Sequence, residues 1–253
     1  MSAAAGTEGT WRAGLRTPVR WAGAATGLAV NTLVTFSPEP DVDLLYGFPV
    51  FGLCVMAGVF AADVIARPSP GWLRAAEVTP RRIRDYVPPS LTAALAAQAV
   101  ALLALLIVAA TTASADSDGR PGRALSVTCP AGTHLLSPWP GPYYAWPALG
   151  GLALGTAACV LLLRRVTARS GNDDQRRINA RAAVGAWGVL VAAPLFAVSL
   201  AMGFVVLLSM PCGGALMDVA LWGLVVAAFT SAVTVGHCLG VLLLPQAYVK
   251  ARP

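Results

Sequence analysis

Residues 91–113 run for twenty-three positions without a charge and with a single strongly polar side chain, Gln98. At about 1.5 Å per residue a helix of that length covers roughly 35 Å, enough to cross a hydrocarbon core of about 30 Å with some tilt. Lipid offers the backbone no hydrogen bonds, so the run must pair its own amides and is a helix rather than a strand. Arg81, Arg82 and Arg84 precede it, while Ser114, Asp116 and Asp118 follow. Arginine-rich flanks stay in the cytoplasm, which orients this span from inside to outside and every other apolar run by alternation.

Only 12% of the 253 residues are charged and 57% are hydrophobic, where a soluble domain carries roughly 25% charge. Five further apolar runs cover residues 21–36, 44–66, 144–163, 182–210 and 218–244. The first is the weakest, sixteen residues with Asn31 inside it, and its basic start also describes a signal peptide. Ser37-Pro38-Glu39-Pro40 follows it in place of a small-x-small cleavage site, so it is read as a retained helix. Six spans put a tail of residues 1–20 and another of 245–253 in the cytoplasm, with residues 114–143 outside as a Gly-, Pro- and Ser-rich cap expected to be irregular. Sixteen of the eighteen Lys and Arg residues then fall inside, and only Arg120 and Arg123 outside. The expected fold class is all-α: a polytopic membrane protein with six transmembrane helices, both termini cytoplasmic, and an external cap loop.

That asymmetry also accounts for the net charge of +6. Arginines spread over the inner segments are what insertion requires, and each attracts anionic lipid headgroups by about 1 kcal/mol. Nucleic acid is therefore not an expected partner. In the first inner loop, Trp72, Leu73, Ile83 and Tyr86 interleave with arginines and Thr79-Pro80 offers a cap and first-turn pair, the pattern of a short helix lying on the leaflet. In the second, Asn172-Asp173-Asp174 supplies a cap and first-turn acids for a helix that runs on into the fifth span.

Of five cysteines, Cys54, Cys159 and Cys238 fall inside spans and read as small packing residues. Cys129 and Cys212 fall in two different external loops on an oxidising side of the membrane. They are natural disulfide partners, with two free thiols as the alternative. Asp63 and His237 are the ionisable side chains well inside spans, and such residues are functional candidates because a charge in lipid is costly unless it is paired or lines a pathway. They could face each other across the second and sixth helices and relay protons or hold a cation. Equally, Asp63 could pair with Arg67 one turn on, and a neutral His237 could bond a neighbouring carbonyl. Asn31 and Gln98 complete a candidate intramembrane polar set, and both suit hydrogen bonds between helices. Gly151-x-x-x-Gly155 allows close helix approach.

The sequence contains no phosphate-binding loop, no G-x-S-x-G, no H-E-x-x-H and no Cys/His spacing for a metal. Neither a catalytic residue nor a metal or cofactor is expected, and the chain is read as non-enzymatic. With one lysine, Lys250, against seventeen arginines, and with the pieces Arg81-Arg82-Ile83-Arg84-Asp85-Tyr86-Val87-Pro88, Gly119-Arg120-Pro121-Gly122-Arg123 and Trp139-Pro140-Gly141-Pro142-Tyr143-Tyr144, the chain resembles uncharacterised multi-pass integral membrane proteins of streptomycete-type actinobacteria. The resemblance implies a cell-membrane location and brings no activity with it. Two function classes follow: a membrane component acting through protein partners or as a homo-oligomer (sensor, accessory or envelope factor), and a small transporter or permease-type subunit built on the four polar residues.

Overall fold

The computed structural model describes residues 16–36, 40–65, 87, 89–130, 132–168, 173–212 and 214–244. These form six helices and a small sheet. In chain order they are α1 (Arg16–Leu33), α2 (Pro40–Ile65), α3 (Pro89–Thr112), strands β1 (Ala113–Ser114), β2 (Ala124–Cys129) and β3 (Gly132–Leu136), α4 (Pro142–Ala168), α5 (Asp173–Ser209) and α6 (Ala215–Leu243). A 3₁₀ turn, Met210–Cys212, joins the last two helices. Helices α2 to α6 are each long and apolar enough to cross a membrane, whereas α1, at eighteen residues, is not among those five. The expected leaflet helix after residue 67, the Asp63–Arg67 pairing, the cap residue Asn172 and most of both tails lie outside the described residues.

The inner-loop helix and the fifth span are one element, since α5 begins at Asp173 and continues through Pro194 to Ser209. It is also the centre of the bundle. Of its most apolar eighteen-residue window 72% is buried, against 17% to 44% for the other four spanning helices. Helices α2, α3, α4 and α6 all pack on it. Small residues set the spacing. Leu190 of α5 lies against Gly52 of α2 and Gly155 of α4, where an added Cβ would collide with it. Gly188, two positions earlier, faces Cys238 of α6 and Leu95 of α3. Two interior layers result, one around Val55, Leu162, Ala183 and Cys238 and one around Leu102, Tyr144, Val198 and Leu224.

Helix α1 docks on α2 more tightly still. A Cβ built on Gly23 would lie 2.7 Å from the Gly58 Cα and 2.9 Å from the Cys54 carbonyl oxygen, so the two backbones touch directly. Along α6, Leu216, Val219, Trp222, Val226, Phe229 and Val233 form an exposed stripe. Their spacing of three and four residues marks one helix face, and in a membrane lipid covers it.

The cap differs from the irregular loop expected. Strands β1, β2 and β3 form an antiparallel sheet in that order, with Ala113 opposite Leu125 and Val127 opposite His134. β1 is the two-residue continuation of α3, too short to carry a periodic signal, and pairing with β2 rather than local preference makes it a strand. Gly119 and Gly122, both at φ 77°, make the reversal between β1 and β2, a backbone region costly for residues with a Cβ.

Candidate functional site

Polar and charged side chains gather at the two ends of the bundle. At the end where α1 and α5 begin and α2 finishes, Arg20, Asp63 and Arg176 are all buried, at 5%, 7% and 4% exposure. Buried charges persist only when paired and hydrogen-bonded. Arg20 donates through Nη2 to Asn179 Oδ1 at 3.2 Å, and Gln175 Nε2 donates to the same oxygen at 3.2 Å, which ties α1 to the start of α5. α1 and α2 run antiparallel and cross at Gly23 and Gly58. Arg20, three residues before one glycine, and Asp63, five after the other, therefore lie on the same side of the crossing.

At the opposite end Cys129 and Cys212 are disulfide-bonded, with Cα atoms 5.0 Å apart, tying the end of β2 to the turn between α5 and α6. Asp116 is buried and closes the β1–β2 reversal. Its carboxylate accepts from the Asp118 and Arg120 amides and from Arg120 Nε at 2.7 Å. Trp139 is buried beneath the sheet and donates through Nε1 to the Ala109 carbonyl at 2.9 Å. Tyr46 Oη donates to the Tyr143 carbonyl, and the Arg123 guanidinium lies 5.2 Å from the Tyr143 ring centre. The cap is thus a folded surface fastened to α3, to α4 and to the turn between α5 and α6, while β3 remains largely exposed.

The four intramembrane polar residues are distributed through the bundle. Gln98 Nε2 donates to Thr234 Oγ1 at 2.8 Å, joining α3 to α6. Asn31, near the C-terminal end of α1, donates through Nδ2 to the Gly47 carbonyl at 2.9 Å and joins α1 to α2. Asp63 is buried near the C-terminal end of α2, and the His237 side chain is exposed on α6. Gly151 and Gly155 are used inside the chain, against Pro49 of α2 and Leu190 of α5. Among the described residues no three His, Cys, Asp or Glu side chains are close enough to hold a metal ion.

Arg20 is the member that sequence reading missed, because directly before Trp21 and the first apolar run it looks like part of the basic tail. A signal was present. Arg20, Gly23 and Gly27 are spaced three and four apart, so the small-residue face that docks α1 carries Arg20 inward with it. The Gln98 bond makes a modest prediction. Gln98→Leu should lower stability by about 1 kcal/mol, the usual scale of one interhelical hydrogen bond in lipid. Thermal unfolding in mild detergent reads this, and a loss several times larger would mean that Gln98 organises more than the α3–α6 contact.

No protein-family model, curated protein or solved structure matches the chain.

Proposed function

We propose that the chain is a multi-pass component of a bacterial cytoplasmic membrane that acts through protein partners rather than by chemistry of its own. In this reading α1 completes a set of six spans, both termini are cytoplasmic, and the disulfide-tied sheet stands outside. The charge asymmetry supports the orientation, with sixteen of eighteen basic residues on one side. The observation that carries the functional reading is how the amides of the apolar runs are used. Gln98 and Asn31 each bond a neighbouring helix, and the core between them is filled by glycine-to-leucine contacts. A folded outer cap and a basic inner rim then offer two contact surfaces, the second also suited to anionic headgroups.

A carrier is the second reading, and the burial of Asp63 within α2 is what favours it. Affinity purification in mild detergent from the native host separates the two. A stoichiometric co-purifying protein, lost when residues 124–136 of the cap are replaced by a Gly-Ser linker, is the expected result. A partner-free protein whose reconstituted proton or cation flux falls in Asp63→Asn would overturn the proposal in favour of transport.

A further inference from the structure

An open apolar groove of 340 Å³ lies between α2 and α4, walled by Leu53, Met56, Ala57, Phe60 and Ala61 on one helix and by Leu154, Gly155 and Ala158 on the other. Its size is at the low end of ligand-holding clefts, roughly 300–1,000 Å³. Small residues keep it open, and Ala57 and Leu154 face outward from the bundle, where lipid would lie. The two helices run in the same direction, with Gly151 beside Pro49 and Arg165 beside Phe60. The groove therefore leads along the membrane normal toward Arg165, which follows Ala158 by seven residues and so shares its helix face.

Arg165 is held at the mouth. Its guanidinium carbon lies 4.8 Å from the Phe60 ring centre, so one aromatic ring both walls the groove and seats the cation. Nη1 is buried with no hydrogen-bond acceptor among the described residues. Arg164, adjacent in sequence, is exposed. A half-buried planar cation beside the end of an apolar groove complements a ligand with an oxyanion at one end and a hydrocarbon chain below it.

We infer that this groove binds an anionic glycerophospholipid, one acyl chain lying between α2 and α4 and the phosphate received by Arg165. The inner-leaflet placement rests on the topology proposed above, whereas the binding itself does not. Native mass spectrometry of the purified full chain, exchanged into micelles containing equal dioleoyl-phosphatidylglycerol and dioleoyl-phosphatidylcholine, tests it. The wild type should retain the glycerol lipid about fivefold more than the choline lipid, the share of one arginine's attraction to anionic headgroups. Arg165→Ala should remove that preference and Arg165→Lys keep most of it, while Ala158→Phe should reduce retention of both lipids. Ala57→Phe, on the outward side of the groove, gives the same reading should Ala158→Phe not fold. Equal retention of both lipids by the wild type, or an unchanged preference in Arg165→Ala, would overturn the site. A shift from monomer to dimer lost on Ala57→Phe, without lipid preference, would assign the groove to a second copy and overturn it equally. An Arg165 labelled from outside with the preference intact would overturn the topology alone.

Discussion

Gly58→Leu is expected to undock α1, lowering stability by about 3 kcal/mol, the upper part of the range for overpacking a filled interior. A side chain there has no path of retreat. A Cβ at position 58 would lie 2.8 Å from the Gly23 Cα and 3.3 Å from the Val19 carbonyl oxygen, and backbone, unlike a leucine tip, has no rotamer to change. Losing the crossing also removes the Arg20 to Asn179 bond, because Arg20 is held inward by the same helix face. Thermal unfolding in detergent reads the loss. Gly223→Leu is the matched control, as nothing lies within 4 Å of a Cβ at that position on α6, and it should stay within about 0.5 kcal/mol of wild type. Equal stability of the two variants would show that α1 is not docked as described.

Removing the disulfide by Cys129→Ser with Cys212→Ser should release the cap while leaving the helices in place. Chain-entropy reasoning for a closure spanning 83 residues gives about 4 kcal/mol, an upper bound because helices held in a bilayer are far from a random coil. The effect should concentrate in β2 and β3. β3 pairs only with β2, and its side chains are mostly exposed, so the bond at the end of β2 is its main anchor. Limited proteolysis from the outer face should cut between residues 124 and 136 in the double variant and in dithiothreitol-treated wild type, and spare the untreated protein. If the cap is the partner surface, capture of the partner falls in the same samples. Identical digestion patterns would mean that Asp116 and Trp139 hold the cap without the bond.

The apolar runs, their order and the pairing of Cys129 with Cys212 were legible in the sequence, and the physical reason is common to all three. A lipid environment demands long uncharged helices, and only two of the five cysteines fall outside the apolar runs. Boundaries lie within three residues for 91–113 against Pro89–Thr112 and for 218–244 against Ala215–Leu243, whereas 21–36 is shifted against Arg16–Leu33 and 144–163 stops short of Pro142–Ala168. The small sheet was not legible, since β1 is two residues long and exists through its partner. Neither was the burial of Arg20, which reads as one more inside positive charge until α1 is laid on α2. Gln98 and Asn31 could be recognised as hydrogen-bonding residues from their place in apolar runs, but not assigned to Thr234 and Gly47. The groove between α2 and α4 and the arginine at its mouth depend on two helices meeting in parallel, with alanine and glycine facing each other. Hydropathy is a property of each residue along the chain, so the sequence by itself determined which segments are apolar enough to cross a membrane. Contact between helices depends on which faces meet, so only the tertiary structure decided what those segments hold between them.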